Sequence, residues 1–344
     1  MTVGALVAAH PAASAAAPGG HEILAVRGGS EPGIVRIDPR TGTVTQVITD
    51  SAASSPRWSP DGGLIAWRDT DGDDREIYVA RRDGKRRRAA THDERDNYDQ
   101  DWAPGANRMV VVGWTATRAE LFVIGTRGGT RRLTRNDRLD WQPDWSPRAA
   151  LIAFSRSTDY ASYVYTIHPD GTRPQRLTRG MAPRSSPDGR RILFARNRKG
   201  SFENDLFVMR ADGSRIRRLT RSPAFEDEYS WAPDGSAIAF VRTDYVSPDD
   251  HAQSLWHMRP NGKRQRRLTS GDLSADSGYM QAYYPTWSLS GHRVAYTRFA
   301  ADGSSSLWVV RLGEADGEQL TPDEEHVYTP NWFTVPVELQ AGAR

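Results

Sequence analysis

One phrase, Pro-x-Trp-Ser-Pro-Asp-Gly followed by a short apolar run, recurs along the chain and limits what it can fold into. It reads PRWSPDGGLIAW from residue 56, QDWAPGANRMVVVGW from 100 and PDWSPRAALIAF from 143. Further copies are PRSSPDGRRILF from 183, YSWAPDGSAIAF from 229, PTWSLSGHRVAY from 285 and a truncated PNWFTVPV from 330. The anchors are Trp58, Trp102, Trp145, Ser185, Trp231, Trp287 and Trp332, spaced 40 to 56 residues apart. A period near forty-five residues marks units that bury their faces only against neighbouring copies.

Each unit repeats the same interior. A Pro and Asp-Gly turn leads to an apolar strand such as LIAW or AIAF. A second strand follows, for example EIYVA from 76 or LFVMR from 206, then a Gly-bearing tight turn and a strand ending in Leu-Thr. Alternating apolar and β-branched residues with such punctuation read as four strands per unit. The expected fold is therefore all-β, a β-propeller of four-stranded blades. We expect seven blades, with six as the alternative. Residues 22–49 supply three strands without an anchor, and residues 328–339 supply an anchor without partners. Pairing these N- and C-terminal strands would close the ring and leave no open edge at the seam. A Trp at one point of each blade acts as a wedge between sheets, worth about 4–6 kcal/mol at ~25 cal/mol/Å². Ser185 predicts a weaker contact at its unit.

These units resemble the PD40, or WD40-like, repeat of TolB-type propellers, across residues 22–335. The motifs are specific for the repeat and say little about function. The N-terminal α/β domain of TolB is not expected here, and no Gly-x-Ser-x-Gly element marks an α/β-hydrolase partner. The expected organisation is an Ala-rich, signal-like or disordered segment over 1–20, one propeller domain over 21–335, and a tail over 336–344. The small-x-small pattern at 13–17, without a basic start, favours an exported protein, the cytoplasm being the alternative.

The 344 residues carry no Cys, which excludes disulfides, thiol nucleophiles and Cys-based metal sites. Net charge is +3, too mild to argue for nucleic acid, and none is expected as a partner. No apolar run is long enough for a membrane span. Arginine-rich fourth strands, such as KRRRAAT from 85 and KRQRRLT from 263, read as guarded sheet edges.

Strand direction gathers the anchor and Asp-Gly turns on one face, expected to be uniform. The other face collects the variable loops, which are acidic and aromatic. On it we place a candidate binding funnel of Tyr98, Asp99, Glu228, Tyr229, Tyr279, Tyr283, Tyr284, His326 and Tyr328. Asp69, Asp71 and Asp73 offer a weak calcium candidate, but the Gly and Glu spacing departs from an EF-hand loop. Of the eight His, His92, His251, His257 and His326 form no zinc pattern. No catalytic residue and no cofactor is assigned. The reading is a monomeric binding module for an envelope protein or cell-wall glycan. A carbohydrate-active or metal-assisted enzyme, with Asp99 and Glu228 facing across the funnel, is the alternative.

Overall fold

The computed structural model describes residues 22–333, apart from 72–73, 116, 149, 159–160, 199, 202, 248–249, 270–278, 301 and 315–316. The described chain is built of strands, and its one helical segment among these residues is the short 3-10 turn Asp323–Glu325. No helix among them is long and apolar enough to cross a membrane.

The strands fall into successive four-stranded antiparallel groups. One holds Ser54–Trp58, Leu64–Asp71, Asp74–Arg81 and Arg88–Ala89, paired in chain order. The same order recurs over 181–218, 225–267 and 279–319. Residues 96–132 and 139–179 form two more such groups, counted as one sheet because Ala119 bridges Leu139 in parallel. The remaining sheet joins Ile23–Arg27, Gly33–Ile37 and Val44–Ile48 to the C-terminal strand Val327–Trp332. There Ile23 faces Trp332 and Arg27 faces Val327.

The repeated phrase explains the first hairpin of each group. The Ser59 amide donates to the Leu64 carbonyl at 2.9 Å and the Gly62 amide to the Ser59 carbonyl at 2.8 Å. The Asp61 carboxylate accepts from the Gly63 amide at 3.0 Å, and Gly62 takes φ 67°, where a side chain would be strained. The Leu-Thr signature has an equally local cause. Thr91, Thr220, Thr269 and Thr321 each accept, through Oγ1, a buried amide of their third strand, at Ile77, Leu206, Leu255 and Leu307. These Thr side chains are at most 4% exposed, so the hydroxyl satisfies a buried donor where the short fourth strand runs out.

Burial lies between sheets. Trp58, Ile65 and Trp67 pack with Leu24, Ile34 and Ile48 of the preceding sheet. At the other side of that sheet, Ile23, Val35 and Trp332 pack with Ala295 and Leu307. The six anchor Trp residues are 2–8% exposed. Ser185 is half-buried, and its interface buries only Ala153, Val164, Ile192, Phe194 and Met209, the smallest of the inter-sheet clusters. An aromatic–arginine stack backs several wedges. Phe154 packs on Tyr165, Phe194 on Phe207 and Phe240 on Trp256. Arg156, Arg196 and Arg242 lie over those pairs, the guanidinium 4.2–4.6 Å from the outer ring.

The face expected to be uniform departs from uniformity in one group. From the bonded third-strand amide to the Thr hydroxyl is 14 residues in the four groups above but 13 between Leu121 and Thr134. The turn itself has the common length, the Gly125 amide meeting the Gly129 carbonyl as Arg81 meets Lys85, so the missing residue lies between Gly129 and Thr134.

Candidate functional site

The first strand of each group carries the same irregularity. Three residues before every anchor stands a residue in the left-handed region: Ser55, Asp99, Gln142, Ala182, Glu228, Tyr284 and Thr329, with φ between 47° and 57°. Each coincides with a shift in strand register, the mark of a β-bulge. A non-Gly residue there costs about 1–2 kcal/mol. Because the bulge recurs in every copy, it is a shaping device of the repeat and not strain reserved for one reacting group.

The bulges set two polar tiers where the first strands converge. Immediately before the anchors come Arg57, Asp101, Asp144, Arg184, Ser230, Thr286 and Asn331. Asp101 accepts the Trp145 amide at 2.6 Å, Asp144 the Ser185 amide at 2.7 Å and Asn331 the Trp58 amide at 2.9 Å. Arg57 and Arg184 sit in groups far apart in sequence, yet the Arg184 charge reaches Arg57. Arg57 keeps solvent contact but is hemmed in by protein, and this desolvation, then Arg184, lowers its pKa. Asp101 is pushed up to about 6 by desolvation and by Asp144. Asp144 also moves up through desolvation, opposed by Arg184.

The upper tier is the mouth. Glu228 accepts the Tyr284 amide in a short hydrogen bond, and Asp99 accepts the Gln142 amide at 3.3 Å. Burial pushes Glu228 up to about 7, against the Tyr284 hydrogen bond. Burial raises Asp227 to about 6, and its Oδ1 has no hydrogen-bond partner among the described residues. Tyr284 stays 41% exposed and its hydroxyl pKa is raised by desolvation, then Glu228, Asp227 and Tyr328. Glu228, Tyr284 and Tyr328 thus share one side of the mouth with Asp227, and Asp99 lies on another group's bulge.

Other expected members sit elsewhere. Tyr229 is 6% exposed; its hydroxyl donates to the Ala182 carbonyl at 2.6 Å, which ties two sheets together instead of facing a ligand. Tyr98 receives a hydrogen bond from Arg75 at 2.8 Å and lies under the Arg68 and Arg75 guanidiniums. His326 ends the 3-10 turn with φ 48°, and its carbonyl accepts the Gly28 amide at 3.1 Å. The side chains of Tyr279 and Tyr283 lie outside the described residues, although their backbone runs in Tyr279–Trp287. Of the calcium candidates, Asp69 is fully buried and accepts from Trp67 Nε1 at 2.9 Å and Arg87 at 2.8 Å, while Asp73 and the Asp71 side chain lie outside the described residues. Sequence reasoning missed Asp227 and the tier before the anchors, although aligning the position before each anchor shows it polar throughout.

The raised carboxyls predict a pH dependence. Folded Glu228 and Asp227 hold protons that the unfolded chain releases above about pH 4–4.5. This contribution to stability is complete below the unfolded pKa and is lost as pH rises through about 6 to 7. Thermal unfolding should show a melting temperature rising from pH 8 to pH 5.5. Glu228→Gln should remove about 1–2 kcal/mol of that dependence, the full shift being discounted for the group's partial exposure. An identical pH profile in wild type and variant would contradict the burial of this carboxyl.

Comparison with known proteins places the repeat. Residues 34–182 match the TolB beta propeller domain (PD40). The fold is similar to a putative TolB from Agrobacterium tumefaciens, at 21% identity over 72% of this chain and 89% of that one, with a TM-score of 0.56. It is similar to TolB from Acinetobacter baumannii, at 16% identity over 92% and 83% of the two chains, with a TM-score of 0.53. An oligogalacturonate lyase from Vibrio parahaemolyticus matches at 10% identity over 87% and 84%, with a TM-score of 0.62. At such identities the likeness speaks for fold alone. With the repeated phrase and the four-stranded groups, residues 34–182 are the part of the chain that matches the TolB-type PD40 propeller, and the later groups repeat the same strand order.

Proposed function

We propose that this chain is a non-catalytic binding propeller of seven blades, closed by its N- and C-terminal strands, working outside the cytoplasm. Its mouth takes a protein or a glycan of the cell envelope. Seven anchors, seven left-handed bulge residues and seven inter-sheet apolar clusters support the blade count. Closure is supported by the pairing of Val327–Trp332 with Ile23–Arg27 and by the Asn331 bond to the Trp58 amide. The Ala-rich first twenty residues support export.

The observation that carries binding is the asymmetric patch at the mouth. An exposed aromatic ring, Tyr284, stands beside a carboxyl, Asp227, whose buried Oδ1 has no partner among the described residues. A half-open aromatic next to an unsatisfied polar atom is what a hot spot offers before its partner arrives. Tyr284→Ala and Asp227→Ala are each expected to weaken retention of the chain on immobilised envelope proteins or wall fragments by about 30-fold or more. The melting temperature should stay within a few degrees. Undiminished retention by both variants would reject the mouth as the binding surface.

One observation favours an enzyme as the second reading. Glu228, near pKa 7, would suit proton transfer at neutral pH. The similar solved structures include an oligogalacturonate lyase. An enzyme requires that Glu228→Gln abolish turnover of an acidic oligosaccharide while binding persists; a binder requires no turnover in the wild type.

A further inference from the structure

Beside the hairpin at 125–130 a groove opens on the face away from the mouth. In four other groups the glycine of the corresponding turn is pressed on the outer strand of the preceding sheet. A Cβ on Gly84 would fall 2.2 Å from the Val47 carbonyl oxygen, and one on Gly42 2.6 Å from that of Leu320. On Gly262 it would fall 2.7 Å from the Leu219 oxygen, and on Gly171 3.3 Å from that of Leu133. At Gly128 and Gly129 it would meet nothing within 4 Å. This turn therefore stands clear of the outer strand Arg88–Ala89, and a groove of about 1230 Å³ remains between the two sheets.

Its lining is one-signed. Arg81, Arg86, Arg88, Arg108, Arg127 and Arg131 border it, all exposed and none in an ion pair among the described residues. Arg88 donates to the Thr126 carbonyl at 2.6 Å and Arg108 lies 5.7 Å over the Trp145 ring, which aims both guanidiniums along the walls. Asp170 is the one carboxylate in the lining, and it is committed to its own turn through the Thr172 amide and hydroxyl at 2.9 and 2.6 Å. Edge protection explains scattered charge on outer strands, but it does not require six arginines to converge on a cleft. The guanidinium fork matches phosphate and sulfate oxygens, and like charges held in a concave wall focus the field on a counter-ion. The volume of the groove and its six arginines leave room for more than one anionic group.

We propose that this groove binds a short oxyanion chain, several phosphate or sulfate groups in series. It is separate from the mouth and does not depend on what the mouth binds.

The test uses the full chain and two probes, inorganic tripolyphosphate and a heparin-derived hexasaccharide, titrated calorimetrically at low salt. At least one should bind, with affinity falling as salt is raised. The better probe identifies the source as phosphate or sulfate. Arg86→Ser/Arg127→Ser/Arg131→Ser should weaken binding about tenfold or more. The charge-matched control Arg217→Ser/Arg264→Ser/Arg266→Ser, on other outer strands, should change it by less than about twofold. A third variant, with one Asn inserted between Gly129 and Thr130, restores the common spacing to the Thr and should lose binding with its melt preserved. No binding of either probe to the wild type would overturn the proposal. So would equal losses in the two triple variants, which would assign binding to overall charge, or undiminished binding in the insertion variant.

Discussion

Replacing Trp145 by Ala is expected to lower stability by about 3–5 kcal/mol, among the largest effects of any single side chain here. The ring is 5% exposed and belongs to a cluster with Ala103, Val110, Val112 and Leu121 of the preceding group and Ile152 and Phe154 of its own. Truncation removes the transfer free energy of an indole and leaves a void that two rigid sheets cannot collapse, because each is also held on its far side. Trp145→Phe, which keeps a ring in the slot, should cost less, about 1–3 kcal/mol. The interface at Ser185 shows that the architecture accepts one wedge fewer, so the Ala variant should fold and melt early. Thermal unfolding of the full chain would show the melting point down by about 4–8 °C. A melting point within a degree of wild type would refute the wedge.

The wedge could be read from the sequence because it is periodic: a bulky residue returning at one place beside a Pro and Asp-Gly turn has few uses other than packing repeats. The same holds for Leu-Thr, whose hydroxyl serves a buried amide at each fourth strand. The mouth was only partly legible, and the reason is the bulge. Simple alternation in a strand puts every second side chain on one face, but a left-handed residue at Glu228 resets the alternation. Tyr229, two before its anchor, therefore turns to the Ala182 carbonyl of the preceding sheet. Gln100 stands at the same position and reaches the Ser55 carbonyl at 2.6 Å in the same way. Other copies put Pro there, a residue without the amide that a bulge leaves unpaired. Asp227 escaped notice for a related reason: its position carries Tyr98, Trp141 and Tyr328 in other copies, so a lone carboxylate among aromatics reads as loop polarity. The basic groove lies beside a single missing residue, visible only by counting from the third strand to the Thr.

Removal of Arg156 should be the other large loss, about 3–4 kcal/mol, and it bears on how the rim of the mouth is kept rigid. Asp140 lies fully buried two residues before the bulge residue Gln142. Arg156 grips it at both oxygens, Nε to Oδ1 at 2.6 Å and a terminal nitrogen to Oδ2 at 2.8 Å, and Asn136 adds a third bond at 2.9 Å. The guanidinium also covers Tyr165, 4.6 Å from its centroid. Arg156→Ala takes away a bidentate partner and leaves a buried carboxylate held by one amide; an uncompensated buried charge costs about 3–5 kcal/mol. The 17% exposure of the Arg156 side chain admits some water and sets the lower part of that range. Asp140→Leu/Arg156→Met, which removes both charges while keeping volume, should recover most of the loss, because the pair's attraction is largely spent on its own desolvation. The four corners of that cycle, measured by denaturant unfolding, should give a coupling of at least about 1.5 kcal/mol. Additive losses in the cycle would mean that Arg156 stabilises by covering the aromatic pair and not by neutralising Asp140. Because this clamp and Tyr284 stand on different groups, partner retention through Tyr284 should survive Arg156→Ala at temperatures where the variant is folded. If retention fell with the clamp, the mouth would have to act as one rigid ring and not as a patch on one side.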